Sequence, residues 1–69
     1  MIDARGLVCP MPVVMVQKEV RKTGAAELEV LVDDRCAVEN ITRFAVNTGY
    51  RVEVVEEGND FRLTLTRIP

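Results

Sequence analysis

The residue of this sequence best suited to chemistry is Cys9, which stands in the run Cys9-Pro10-Met11-Pro12. A cysteine thiolate is a nucleophile that accepts and passes on sulfur atoms by exchange. The chain has no histidine and one further cysteine, Cys36. Ser-His-Asp and Cys-His catalysis are therefore excluded within the chain, and the remaining chemistry is that of a thiol without an internal histidine base.

The rest of the composition argues against several other classes of function. Nine basic and eleven acidic residues give a formal net charge of −2, whereas nucleic-acid-binding domains are usually basic. The chain has too few ligands for a haem or iron–sulfur site, and the four glycines are too scattered to form a phosphate-binding loop. We therefore expect no cofactor, no metal and no direct contact with nucleic acid.

The sequence also bears on location. No apolar run approaches the roughly 18 residues that mark a membrane-spanning helix. The first five residues lack the basic-then-apolar order of a secretory signal. We therefore expect no membrane-spanning segment. The expected location is the cytoplasm, where thiols stay reduced.

Hydrophobic spacing predicts four strands and two helices around the cysteines. The predicted strands cover residues 2–5, 27–32, 50–57 and 61–66, and the predicted helices cover residues 10–23 and 36–48. Gly24 and Gly49 are expected to end the helices, and Asp33 or Asp34 to cap the second one. The predicted order of elements is therefore βαβαββ.

This order predicts an α+β fold in a single domain over residues 1–69. The expected architecture is a two-layer α/β sandwich, a four-stranded mixed sheet with two helices on one face. Right-handed crossovers make the first three strands parallel, and the closing hairpin makes the fourth antiparallel to the third. The alternation of apolar and polar residues in the last strands fits a sheet with one solvated face.

On this frame, Cys9 follows the first strand and directly precedes Pro10, the predicted first helical residue. It is expected at or near the helix N-cap, where unpaired N–H groups and the helix dipole favour a thiolate. Pro10 fixes the backbone at the helix entrance, and Pro12 lies in the first turn. Because both prolines lack an N–H group, the size of this effect stays open, and a small buried hydrophobe is the alternative role for Cys9.

Cys36 is predicted in the first turn of the second helix. If the first two strands are neighbours, it lies at the same sheet edge as Cys9. It is a candidate resolving or relay thiol, or a disulfide partner, but a small apolar residue of the helical turn is the favoured interpretation. Arg5 and Arg35 are candidates to stabilise the Cys9 thiolate, with solvated surface charge as the favoured alternative.

The run Gly6-Leu7-Val8-Cys9-Pro10-Met11-Pro12 resembles the Gly-x-x-Cys-Pro-x-Pro motif of the TusA/SirA/YedF family. The resemblance covers the whole chain, including the opening residues 2–6 and the Val32-Asp33-Asp34 junction. Residues 37–50 and the Glu56-Glu57-Gly58 turn look most like the YedF branch. The resemblance assigns the active role to Cys9, with Gly6, Pro10 and Pro12 as the supporting motif, and none to Cys36.

The resemblance implies a sulfurtransferase or sulfur carrier. Cys9 would take a persulfide sulfur from a cysteine desulfurase or another donor protein and hand it to an acceptor protein. The YedF branch is linked to selenium, so selenium is a second candidate cargo. Members of that branch can carry a longer C-terminal region, so both a free-standing protein and an N-terminal domain fit, and a monomer is expected.

Two other functions stay open beside the favoured sulfur carrier. One is a non-enzymatic regulatory or protein-interaction domain, in which Cys9 is inert and exposed apolar side chains near Met11 bind a partner. The other is a thiol redox protein that uses Cys9 and Cys36. The sequence also leaves open whether the protein acts as an enzyme.

Overall fold

The computed structural model describes residues 1–68 and contains six elements in the predicted βαβαββ order. Its elements are β1 (Ile2–Asp3), α1 (Met11–Thr23), β2 (Glu27–Val32), α2 (Arg35–Thr48), β3 (Tyr50–Glu57) and β4 (Asp60–Arg67). Within residues 1–68, neither helix has the length and apolar character needed to cross a membrane. β2 and β3 have the predicted bounds, and the other four elements differ from theirs by one or two residues.

The four strands form one mixed sheet in the order β1-β2-β4-β3. β1 pairs in parallel with β2, whereas β4 pairs in antiparallel fashion with both β2 and β3. β2 and β3 therefore run in the same direction, as predicted, but β4 lies between them. In the central register, Leu63 of β4 stands opposite Val30 of β2 on one side and Val54 of β3 on the other.

The core lies between the sheet and the two helices. Val16 of α1 and Ile41 of α2 are completely buried, together with Val30 and Leu63 of the central strands. Both helices bury their apolar stripe against the same face, because that face carries the inward side chains of β2 and β4. The predicted two-layer sandwich with both helices on one face is confirmed.

The helix ends follow the local signals in the sequence. α2 begins after Asp34, whose carboxylate accepts the backbone N–H of Cys36 at 3.2 Å. This contact is a side-chain N-cap, which satisfies one of the free donors at the helix start. α1 and α2 end at Gly24 and Gly49, both in the left-handed conformation. The predicted cap and both predicted ends are confirmed.

β1 is two residues shorter than predicted. Ala4 is buried and still donates its N–H to the carbonyl of Leu31 at 2.8 Å, so the chain stays beside β2 up to that residue. The carboxylate of Asp3 then accepts the N–H of Arg5 at 3.2 Å. This local contact competes with strand pairing and turns the chain away from the sheet, which is why the strand ends early.

Candidate thiol site

The loop of residues 4–10 carries Cys9 from the end of β1 to the start of α1. Gly6 adopts φ 78°, a left-handed conformation that side chains other than glycine rarely adopt. Its N–H donates to a carboxylate oxygen of Asp33 at 3.0 Å. Since Asp33 directly follows β2, this hydrogen bond ties the Cys9 loop to the neighbouring strand of the sheet.

Cys9 lies one residue outside the N-cap of α1, because Pro10 is the cap residue and Met11 is the first helical residue. The N–H of Met11 donates to the carbonyl of Val8 at 2.9 Å and closes a turn around Cys9, whose peptide bond to Pro10 is cis. Pro12 has no N–H group and is fully buried.

One part of the N-cap prediction therefore needs correction. Cys9 is near the helix start, as expected, but the N–H group of Met11 is used within the turn and does not reach the sulfur. Within residues 1–68, the hydrogen-bonding partners of the Cys9 sulfur lie on α2.

Three side chains form a compact group, here called the thiol cluster: Cys9, Cys36 and Asn40. The amide Nδ2 of Asn40 donates to Sγ of Cys9 at 2.8 Å. Sγ of Cys36 lies 2.9 Å from Sγ of Cys9, and Nδ2 of Asn40 lies 3.7 Å from Sγ of Cys36. Both cysteines are free thiols, and Cys9 is half-buried whereas Cys36 is exposed.

The sheet explains why these residues meet. β1 and β2 are parallel neighbours, so the loops that follow them leave the sheet at the same edge, as the sequence predicted for adjacent strands. Cys36 is the second residue of α2, and Asn40 follows it by four residues and lies on the same helix face. The interpretation of Cys36 as a small apolar residue of the turn is not supported, since its side chain is exposed and its sulfur contacts that of Cys9.

Asn40 is the member of the cluster that the sequence analysis missed. No motif marks it, and it lies among the residues of an ordinary amphipathic helix. The signal that could have found it is its i+4 spacing from Cys36, which places an amide donor beside a thiol.

The contact between the two sulfurs affects the proton of Cys36. The hydrogen bond with Cys9 is the main cause that raises the pKa of the Cys36 thiol, and the nearby negative charges of Asp34 and Glu39 act in the same direction. A raised pKa means that the protonated form of Cys36 is favoured. The sulfur of Cys9 accepts the amide N–H of Asn40 and shares a hydrogen bond with the sulfur of Cys36.

The two candidate arginines bind carboxylates. Arg5 forms ion pairs with Asp3 at 3.0 Å and Asp60 at 3.2 Å, and its hydrogen bonds lower the pKa of Asp3. Arg35 lies 3.6 Å from Glu56. Within residues 1–68, no hydrogen bond joins either guanidinium to the thiol cluster, so the structure favours the alternative of surface charge for both residues.

Exposed apolar side chains border the cluster on the loop side. Val8 is 77% exposed, Met11 44% and Leu7 37%. On the other side, a groove of about 400 Å³ runs between α1 and α2. It is lined by Pro10, Val13, Gln17, Asn40, Arg43, Phe44 and Asn47. Cys9 is half-buried, and its chain neighbours Val8 and Pro10 belong to the exposed apolar side chains and to the groove respectively.

The residues of the cluster offer nucleophilic sulfur chemistry. Within residues 1–68, no three His, Cys, Asp or Glu side chains stand close enough to hold a metal ion. A half-buried thiol with an amide donor and a second thiol as neighbours can attack a sulfur atom and form a persulfide or disulfide.

Fold and site together define a small two-layer α/β protein with a thiol in the loop that follows the carboxyl end of its first strand.

Comparison with known proteins places this class of protein in a family. The family model described as sulfurtransferase TusA matches residues 1–67. The chain belongs to the TusA family, as its resemblance to the TusA/SirA/YedF motif implied.

Two relatives agree with this assignment. A protein of Methanocaldococcus jannaschii named as a "putative sulfur carrier protein" is 40% identical over 68 residues, which cover 96% of this chain and 91% of the relative. The crystal structure of a SirA-like protein from Desulfitobacterium hafniense superposes with a TM-score of 0.83 at 32% identity. That match covers 94% of this chain and 92% of the other. The predicted fold is shared with that protein.

Proposed function

We propose that this protein is a sulfur carrier that takes up a sulfur atom on Cys9 as a persulfide and hands it to a partner protein. The observation that carries the proposal is the position of Cys9 Sγ, which accepts a hydrogen bond from Asn40 at 2.8 Å beside an exposed apolar rim. Membership in the TusA family supports the general class, a sulfur carrier or sulfurtransferase.

The environment of Cys9 suits a carrier better than a hydrolytic enzyme. The chain has no histidine to activate water or to protonate a leaving group. A persulfide, in contrast, forms and transfers by thiolate exchange, which needs an accessible sulfur and a donor group that stabilises negative charge. The half-buried Cys9 and the amide of Asn40 provide these two features.

The partners follow from the chemistry of exchange. The donor must present a persulfide, for which a cysteine desulfurase is the expected source, and the acceptor must present a thiol or a comparable nucleophile. Leu7, Val8 and Met11 give both partners an apolar surface beside the sulfur. Selenium remains an alternative cargo under the YedF-like interpretation, and a reducing compartment such as the cytoplasm suits a free thiol.

Two single-thiol variants test the proposal. In Cys36→Ser the only thiol is Cys9, and in Cys9→Ser it is Cys36. Each variant is incubated with a cysteine desulfurase and free cysteine under anaerobic conditions, and its intact mass is measured. We expect Cys36→Ser to gain the mass of one sulfur atom and Cys9→Ser to keep its original mass.

Equal uptake by both variants would show that any accessible thiol serves, and it would contradict an assigned role for Cys9. Absence of uptake by Cys36→Ser with both a desulfurase and inorganic polysulfide as donors would overturn the carrier proposal. Circular dichroism of both variants confirms that each is folded under the conditions of the assay.

A further inference from the structure

We propose that Cys36 is a resolving thiol, which attacks the inner sulfur of a persulfide on Cys9, forms a Cys9–Cys36 disulfide and releases the carried sulfur as hydrosulfide. The inference rests on the proposed function, because it needs a sulfur atom on Cys9. It adds a second reacting residue and a product that the carrier role does not include.

The first observation behind this inference is the contact between the two sulfurs. Sγ of Cys36 lies 2.9 Å from Sγ of Cys9, and no other residue separates them. In a persulfide, Sγ of Cys9 becomes the inner sulfur, and the carried atom is bonded to it. The sulfur of Cys36 is thus next to the atom that it must attack to form a disulfide.

The second observation is the hydrogen bonding of Asn40. Its Nδ2 lies 2.8 Å from Sγ of Cys9 and 3.7 Å from Sγ of Cys36. The amide holds the inner sulfur beside Cys36. Exchange depends on which sulfur is attacked and on access to it, and this arrangement favours the inner one.

The third observation concerns the proton of Cys36. The hydrogen bond with the Cys9 sulfur favours the protonated Cys36 thiol. The attack requires Cys36 to lose this proton. The bond from Cys9 Sγ to the carried sulfur breaks with its electron pair on the carried atom, so that atom can accept the Cys36 proton as the attack proceeds.

The step balances within the loaded protein. A bond forms between the Sγ atoms of Cys9 and Cys36, and the bond from Cys9 Sγ to the carried sulfur breaks with its electron pair on the carried atom. The carried sulfur takes the Cys36 proton and leaves as hydrosulfide. The two cysteines lose two electrons to become a disulfide, and the carried sulfur gains them, so no outside oxidant takes part.

A cellular dithiol reductant returns the disulfide to two thiols and completes the cycle. Release as hydrosulfide therefore competes with transfer to an acceptor protein. This role differs from a general thiol redox protein, the alternative left open by the sequence, because the oxidant of the cysteine pair is the sulfur that the protein carries.

The test follows the fate of sulfur added from inorganic polysulfide. Wild-type protein, Cys36→Ser and the control Val46→Ala are loaded anaerobically and freed of excess reagent, and their intact mass and released sulfide are measured over time. Val46 is exposed on α2, and its replacement leaves both thiols in place. We expect wild type and Val46→Ala to lose two hydrogens in mass and to release sulfide, while Cys36→Ser keeps one added sulfur and releases none.

Three results would overturn the inference. If wild type keeps its added sulfur for as long as Cys36→Ser does, Cys36 does not resolve the persulfide. If wild type forms the disulfide equally fast without polysulfide, the carried sulfur is not the oxidant. If Cys36→Ser takes up no sulfur at all, the proposed carrier function itself falls and the resolving step falls with it, so the two failures are distinguishable.

Discussion

At the scale of single residues, the contact between the two sulfurs is the main cause that raises the pKa of the Cys36 thiol. Because the hydrogen bond between Cys36 and Cys9 favours the protonated Cys36 thiol, we expect Cys9→Ala to lower the pKa of Cys36 toward its ordinary value. Alkylation of Cys36 by iodoacetamide, followed as the initial rate in the peptide that contains it, should then reach half of its maximum at a lower pH in Cys9→Ala than in wild type.

The same measurement on Val46→Ala serves as the control, because that side chain is exposed on α2 and lies six residues beyond Asn40 along the helix. Its profile should coincide with that of wild type. An unchanged profile in Cys9→Ala would mean that the sulfur contact does not set the protonation of Cys36.

A second residue-scale prediction concerns the amide of Asn40. Its hydrogen bond stabilises the sulfur of Cys9 when that sulfur is negatively charged. In the Cys36→Ser background, Asn40→Ala should slow sulfur uptake from polysulfide by about fivefold, which corresponds to about 1 kcal/mol, the net contribution of a typical hydrogen bond. The measurement is the initial rate of mass gain at a fixed pH.

Asn47→Ala is the matched control, since Asn47 is an exposed amide near the end of the same helix. It should change neither the rate nor the melting temperature. If Asn40→Ala lowers the melting temperature and leaves the uptake rate unchanged, the role of Asn40 is structural. Recovery of the rate by Asn40→Gln would confirm that an amide donor is what the sulfur needs.

The residue scale also shows what the sequence could and could not predict about the site. Cys9 was identifiable because its motif lies between a strand and a helix in a chain without histidine. The contacts of Cys36 and Asn40 were not, because they depend on how the Cys9 loop packs against α2. Hydrogen bonds of this kind join residues 27 to 31 positions apart, and helical periodicity carries no information about such distances.

At the scale of elements, the position of the Cys9 loop relative to α2 depends on the hydrogen bond between Gly6 and Asp33. Glycine is needed at this position for its left-handed φ of 78°. It is not needed for space, because a Cβ at that position meets nothing within 4 Å. Replacement by alanine therefore strains the backbone without a clash, at a cost of about 1–2 kcal/mol.

Gly58 offers a matched control for this element. It lies in the turn between β3 and β4 with φ 65°, and a Cβ there also meets nothing within 4 Å. We expect Gly6→Ala and Gly58→Ala to lower the free energy of unfolding by similar amounts in urea titrations. Only Gly6→Ala should also slow sulfur uptake at Cys9, because only it disturbs the loop that positions the thiol; equal uptake by the two variants would contradict this role of the loop.

Element order and strand order differed in how far the sequence could predict them. The two helices, the hairpin and the cap at Asp34 follow from local signals, and all were predicted within one or two residues. The insertion of β4 between β2 and β3 was not predicted. Strand order is a non-local property, since β4 has an apolar inward face that fits beside either β2 or β3 and here pairs with both.

At the scale of the whole molecule, stability depends on a thin core. A chain of about 60 residues buries only about 60% of the surface that its unfolded form exposes. The core here is aliphatic, with Val16, Ile41, Leu63 and Leu65 completely buried and Tyr50 the single aromatic side chain buried with them among residues 1–68. Each large aliphatic side chain therefore provides a considerable part of the free energy of folding.

Ile41 links this core to the thiol cluster, because it is completely buried and directly follows Asn40 on α2. Ile41→Ala removes buried methyl groups and leaves a cavity, at an expected cost of about 2–5 kcal/mol. For a chain of this length the total free energy of unfolding is about 3–10 kcal/mol. The melting temperature should therefore fall by about 4–8 °C for each kcal/mol lost, as measured by circular dichroism.

Val46→Ala on the same helix is the control for this change. Val46 is 60% exposed, so its replacement removes an aliphatic side chain from the surface and should shift the melting temperature by far less. Equal shifts in the two variants would mean that α2 does not pack as described. In Ile41→Ala, the disulfide that polysulfide induces should form more slowly above the temperature at which the helical signal is lost, since the two thiols are held in contact only while α2 is docked on the sheet.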